Sequence, residues 1–261
     1  MKIQERATLW NKEYGRKLMG GGLRELTLKI SEYIGFVRKK FPDTPVHHSD
    51  DMLVIFRNLG FQFDPDFNAA FEFAGDEVLQ GRLWRVWVIS WAMSESMRRF
   101  SGAGTFLDLG TYNGKAVNVA AKYCERRNGS APLDLRVFDA FEDPPMESRK
   151  SEHSATLHLE VKERLSWVSG CEVVKGYLPD TLDLSSINYV VWAQIDLNSA
   201  DFDCASFHRI FPLLAPGSVV IFDDYGASGY HDTQVAIDKY LNERCAGSVL
   251  ELPTSQGLYI R

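Results

Sequence analysis

The chain has 261 residues, enough to bury a full core, and its 45% hydrophobic and 25% charged content is that of an ordinary globular protein, which argues against disorder. With 29 basic and 35 acidic residues the net charge is -6, which supplies no pull toward phosphate backbones or anionic membranes. Neither a nucleic-acid partner nor a membrane partner is expected.

The opening MKIQERATLWNKEYGRKL carries charges throughout and lacks the apolar centre of a secretion signal. No stretch of the chain is apolar for long enough to span a bilayer, so a soluble, cytoplasmic protein is expected. Cys124, Cys171, Cys204 and Cys245 lie far apart with no C-x-x-C pair, which reads as free, buried thiols rather than a metal or disulfide framework.

In chain order, residues 1 to about 100 read as mainly helical, with a glycine cluster at Gly20 to Gly22 and a loop around Phe41 to Ser49 containing Pro42 and Pro45. Leu26, Ile30, Ile34 and Val37 recur every three to four residues and place a helix over Leu23 to Lys39. Gly81 to Phe100 is apolar with Trp84, Trp87 and Trp91 at helical spacing, the pattern of a helix buried against the domain that follows; an aromatic acceptor pocket is the alternative.

After Gly104 short apolar runs alternate with amphipathic stretches, as βαβ units do. Strands are expected at Thr105 to Leu109, Leu135 to Asp139, Cys171 to Lys175, Tyr189 to Asp196 and Ser218 to Asp223. Helices are expected at Ala116 to Arg127, Ala155 to Val168, Phe202 to Leu214 and Thr233 to Arg244. SVLELPTSQGLYIR reads as two strands around a turn at Pro253 to Gly257. The expected fold is α/β and Rossmann-like, a seven-stranded, mostly parallel sheet ending on an antiparallel hairpin. Two regions follow: a helical one over residues 1–80, serving as an acceptor lid or a homo-oligomer contact, and the α/β domain over 81–261.

FLDLGTYNGKA joins a strand to a helix, the place where open α/β sheets bind ligands. Gly110 and Gly114 permit a tight turn or a close backbone approach. Thr111 and Tyr112 interrupt any G-x-G-x-x-G, so a pyrophosphate cradle is poorly supported, and Asp108 suits a cationic or hydroxyl-rich ligand better than a phosphate. VFDAFED ends the second strand. There Asp139, followed by Ala140 and Phe141, can accept hydrogen bonds from both hydroxyls of a ribose; a helix cap or turn carboxylate is the plainer alternative.

GRLWRVW, LDLGTYNGKA, VFDAFED, VVKGYLPDTL, AQIDLNSAD, LLAPGSVVIFDDYG, AIDKY and LPTSQGLYI, in that order from Gly81 to Arg261, resemble the TylF/MycF (macrocin O-methyltransferase) family and related class I small-molecule methyltransferases. The resemblance implies S-adenosylmethionine as cofactor, held by Asp108, Gly110, Thr111, Tyr112, Gly114, Asp139, Ala140 and Phe141, with Gly176 and Tyr177 near the adenine. It also implies methyl transfer to a hydroxyl of a small molecule, often a sugar, with Mg2+ on Asp196, Asp223 and Asp224. Three carboxylates at one crevice would repel one another without a hard cation, which agrees with that assignment; a turn-forming role for Asp223 and Asp224 is the alternative. Where the family continues D-G-D-x-Y, this chain reads Asp196, Leu197, Asn198, Ser199, Ala200. The catalytic base is thus open between Asp196 and His231. An NAD-dependent oxidoreductase and a non-catalytic cofactor-binding module are the competing functions.

Overall fold

The computed structural model describes residues 59–74, 79, 81–129, 132–142 and 156–261, with residues 29, 32, 33, 35, 36, 39 and 40 and the backbone of residues 46–49 and 52–55. The chain divides into two compact units, Met1–His48 with Met52–Asn58, and Ser49–Asp51 with Leu59–Arg261. Strands β1 (Val46–Ser49) and β2 (Met52–Ile55) pair as a small sheet; the sequence suggests a loop over the residues of β1. Most of the expected helix at Leu23 to Lys39 lies outside the described residues; those described within it are helical. Gly20 to Gly22, and most of the region expected to form a lid or oligomer contact, also lie outside them.

The second unit is built on seven strands, β3 (Thr105–Leu109), β4 (Leu135–Asp139), β5 (Cys171–Lys175), β6 (Val190–Ile195), β7 (Leu214–Phe222), β8 (Leu250–Glu251) and β9 (Gly257–Ile260). They run in the order β5-β4-β3-β6-β7-β9-β8. The first five in that order are mutually parallel, and β9 is antiparallel to both β7 and β8. The helices are α1 (Pro65–Ala74), α2 (Leu83–Arg99), α3 (Lys115–Asn128), α4 (Leu157–Leu165), α5 (Ala200–Ile210) and α6 (His231–Glu243).

Every residue of β3 and β6 is buried, because helices cover both faces of the central strands. Side-chain alternation splits the core in two. Phe106, Val137, Val191 and Ile221 pack with Met93, Val117 and Val161 on one face. Leu107, Leu109, Phe138 and Val220 pack with Phe207, Ile237 and Leu241 on the other. β8 is two exposed residues, a short edge that limits strand addition.

Boundaries shift where local chemistry dictates. α5 stops at Ile210 and passes into a 3-10 turn, Phe211–Leu213, because Pro212 cannot continue a helix; β7 therefore starts at Leu214, earlier than expected. α2 is buried, but by its aliphatic face: Val86, Ile89, Ala92 and Met93 are at most 2% exposed. The tryptophans lie at its margin, with Trp84 and Trp87 5.8 and 5.5 Å from the Phe61 ring and Trp91 37% exposed. All four cysteines are free; Cys124 and Cys204 are buried, Cys171 half-buried and Cys245 exposed. No helix of the described residues is long and apolar enough to cross a membrane.

Candidate active site

β6 and β7 are parallel neighbours with Ile195 opposite Phe222, so the residues just past each strand, Asp196 and the pair Asp223 and Asp224, emerge side by side. The Asp223 amide donates to the Ile195 carbonyl at 3.0 Å and fixes this register one step beyond the ladder. One carboxylate oxygen from each aspartate lies within 4.8 Å of the other two. Asp223 is buried, while Asp196 and Asp224 are partly open to solvent.

A cation already stands among them. Arg85, in the first turn of α2, donates through one terminal nitrogen to Asp223 Oδ2 at 2.7 Å and through the other to Asp224 Oδ1 at 3.1 Å. Its Nε donates to the Thr254 carbonyl at 3.0 Å. Burial disfavours the guanidinium charge, but Asp223 and Asp224 outweigh it and hold the Arg85 pKa above its usual value. The other oxygen of Asp223 accepts from Gln256 Nε2 at 2.9 Å, and Gln256 is itself fixed by the Thr254 hydroxyl at 2.9 Å.

Asp196 Oδ1 accepts from Asn198 Nδ2 at 3.1 Å, and Asn198 Oδ1 accepts from the Tyr230 hydroxyl at 2.6 Å. Tyr230 thereby sets which way the Asn198 amide faces. Burial, and then the adjacent Asp223 and Asp224 charges, raise the Asp196 carboxyl well above the usual carboxylate range. Asp224 is raised too, by burial and by Asp223. Asp203, from α5, accepts the Leu197 amide at 2.9 Å, and burial pushes its carboxyl up to about 6. Asp196, Asp203, Asp223, Asp224 and Thr233 line a cleft of about 10 Å³, the space of a single water or ion. The Thr233 side chain is 4% exposed and its hydroxyl has no hydrogen-bond partner. Three hard oxygen donors and an unpartnered hydroxyl fit a hard divalent cation such as Mg2+.

The turn after β3 abuts this cluster. The Asp196 amide donates to the Leu109 carbonyl at 2.8 Å, and at Gly110 (φ 93°) a Cβ would fall 1.9 Å from the Asp196 carbonyl oxygen. The close approach that demands glycine there is therefore to the chain's own backbone. Gly114 (φ 69°) caps α3, and a Cβ would meet Val161 at 2.9 Å. Tyr112 and Phe141 also have positive φ, 52° each, and both are held by Asp139: Oδ2 accepts the Tyr112 amide and Oδ1 the Phe141 amide, each at 2.7 Å. Strained backbone of this kind persists where surrounding contacts impose it, and it concentrates at ligand sites.

Ala140 and Gly176 are half-buried, and Tyr112 and Tyr177 are each 40% exposed at the same end of the sheet. Asp108 is 1% exposed; burial, only partly offset by the neighbouring Thr111 hydroxyl, pushes the Asp108 carboxyl up to about 7. His231 is the exposed first residue of α6 and makes no hydrogen bond to the acidic trio.

Among the residues expected from the sequence, Asp196, Asp223 and Asp224 converge, the turn from Asp108 to Gly114 adjoins them, and His231 stands apart. Arg85, Gln256, Thr233 and Asp203 were missed. Arg85 left a faint trace, as the one charged residue in the apolar, tryptophan-rich first half of α2; the other three left none.

The parallel sheet, its helices on both faces and its closing antiparallel hairpin define the class I methyltransferase fold, a Rossmann-like α/β architecture. No family model matches the sequence. No curated protein matches it either. Among solved structures it is similar to the O-methyltransferase NovP, with a TM-score of 0.56 and 17% identity over 68% of this chain and 79% of that one. It is also similar to apo CalS11, described as a TDP-rhamnose 3'-O-methyltransferase of calicheamicin biosynthesis, with a TM-score of 0.54 and 16% identity over 77% of this chain and 89% of that one. At this identity the likeness carries the fold.

Proposed function

We propose that the chain is an S-adenosylmethionine-dependent O-methyltransferase of TylF/MycF type, acting on a hydroxyl of a small molecule such as a sugar or a glycosylated natural product. The observation that carries this reading is the contact of the Gly110 turn with Asp196, which sets three converging carboxylates against a strand-to-helix turn suited to an adenosine ligand. The names of NovP and CalS11 as O-methyltransferases agree with it.

In this reading Asp139 accepts the ribose hydroxyls while continuing to hold the Tyr112 and Phe141 amides. Tyr112 and Tyr177 offer ring faces to the adenosine. Asp196, with one oxygen oriented by Asn198, takes the proton of the acceptor hydroxyl; burial makes its carboxylate more basic than an exposed one. The acceptor oxygen then bonds to the methyl carbon as the carbon–sulfur bond breaks, and the electron pair remains on sulfur. Mg2+ held by Asp196, Asp223 and Asp224 would lower the pKa of the acceptor hydroxyl and fix it in line with the sulfonium. His231, exposed and outside the trio, serves at most as a secondary proton carrier.

The test is transfer of a labelled methyl group from S-adenosylmethionine to a panel of sugar and glycoside hydroxyls, with and without a chelator. Cofactor binding should survive chelation and transfer should not; full transfer after exhaustive chelation removes the metal. Asp139→Ala should weaken cofactor binding by about 1–3 kcal/mol in calorimetry, and an unchanged affinity rejects the ribose role. Binding of NAD instead of S-adenosylmethionine rejects the reading as a whole.

A further inference from the structure

We propose that Arg85 sets the affinity of the acidic trio for a divalent ion, holding it low so that the ion stays only when an acceptor completes its coordination. This rests on the metal reading above and concerns what the chain's own residues do to it.

The guanidinium spends both faces of its fork on Asp223 and Asp224 and its third donor on the Thr254 carbonyl. With 13% side-chain exposure it is a built-in part of the site rather than a passing surface contact. An arginine remains charged at any working pH. Two of the three candidate ligands are thus partly neutralised before any ion arrives.

The oxygens point the same way. Asp223 has both oxygens engaged, one by Arg85 and one by Gln256. Asp224 has one held by Arg85, and Asp196 one held by Asn198. The trio therefore offers an incoming ion the second oxygens of Asp196 and Asp224, a residual lone pair of Asp223, and the unpartnered Thr233 hydroxyl that lines the same cleft. A small divalent ion fills its remaining positions with water or a ligand oxygen, so an acceptor oxygen contributes a larger share of its hold here than in a site with three unshared carboxylates. Ion and acceptor should accordingly bind with positive coupling.

Removing the positive charge should raise divalent affinity, whereas a purely structural Arg85 would lower it by letting the aspartates move. Gln256 still anchors Asp223 when Arg85 is changed, so the site keeps a support. The experiment is Mn2+ binding to the full chain, read by the loss of free-ion electron paramagnetic resonance signal, for wild type, Arg85→Gln, Arg85→Lys and Asp196→Asn.

Arg85→Gln should bind Mn2+ about tenfold more tightly than wild type, the change that a unit charge near a divalent ion makes even with strong screening. Arg85→Lys, which keeps the charge but loses the two-pronged geometry, should fall between them. Asp196→Asn should weaken binding, which locates the ion. If Arg85→Gln does not fold, Arg85→Lys decides alone, and an affinity equal to wild type overturns the proposal. Binding that Asp196→Asn weakens but Arg85→Gln leaves unchanged or weakens overturns the proposal while the metal reading stands. No Mn2+ binding by any variant overturns both.

Discussion

The two halves of the sheet's carboxyl edge are made in different ways. At the tips of β3 and β4 the site is mostly backbone: glycines, positive-φ residues and one carboxylate, with Tyr112 and Asp139 only 27 residues apart. At the tips of β6 and β7 it is side chains brought from afar, Arg85 lying 138 residues from Asp223 and 169 from Thr254. The first half is set by local conformation and tolerates little change of shape. The second is set by a balance of charge and should respond to substitutions that preserve shape.

The largest effect should come from the charged half. Asp196→Asn, Asp223→Asn and Asp224→Asn should each lower turnover by about a thousandfold, and pairs of them should add little, because groups that act as one unit are lost as one. Single-turnover rates on a confirmed acceptor measure this. Additive losses would separate the aspartates into independent roles.

Next is the shape-bound half. Gly110→Ala places a methyl group inside the Asp196 carbonyl and demands a left-handed backbone of a residue that rarely adopts one. A loss of about 3 kcal/mol or more in denaturant stability is expected, with Gly114→Ala milder because Val161 can yield. Equal stability of Gly110→Ala and wild type would mean that the two tips are not packed together.

Asp108 sharpens the comparison through pH. Its folded pKa of about 7 lies above the value of 3.8 for the exposed group, so the folded state holds the proton more tightly. Its contribution to folding is fully present below about pH 3.8 and is lost as pH rises to about 7; Asp203, at about 6, acts with the same sign. Asp108→Asn should therefore be more stable than wild type at pH 8, by about 2 kcal/mol, with the gain fading toward pH 4. A gain independent of pH would mean that Asp108 is not buried as an ionisable group.

The smallest effect tests charge balance directly. Asp224→Asn gives up a bond to Arg85 but relieves repulsion from Asp223, and the raised Asp224 pKa says that repulsion and burial win. The metal-free protein should melt at the wild-type temperature or about 2 °C above it. Mg2+ alone, at concentrations high enough to fill a weak site, should raise the melting point of wild type slightly but not that of this variant. A lower melting point with no Mg2+ response in wild type would make these residues turn formers.

Structure set by local sequence was legible in the chain. The strands Thr105–Leu109, Leu135–Asp139 and Cys171–Lys175 follow from short apolar runs, the first and third bounded by glycines, and match to the residue. The acidic trio was legible through the family resemblance, which sets it at the ends of two strands. Its counter-charge was marked only by the place of Arg85 among the apolar residues of α2, 138 residues earlier, and nothing near Asp223 announces it. Like-charge repulsion pointed to a missing cation, and part of that cation is Arg85.

The hairpin that ends the sheet ties two events in folding together. Until Gly257–Ile260 docks, β7 has an open hydrogen-bonding edge beside Val219 to Phe222. Thr254 and Gln256, which steady Arg85 and Asp223, arrive on the same segment. A partly folded chain lacking this hairpin would carry a sticky edge and a poorly compensated acidic tip at once, because one segment supplies both sheet closure and charge compensation.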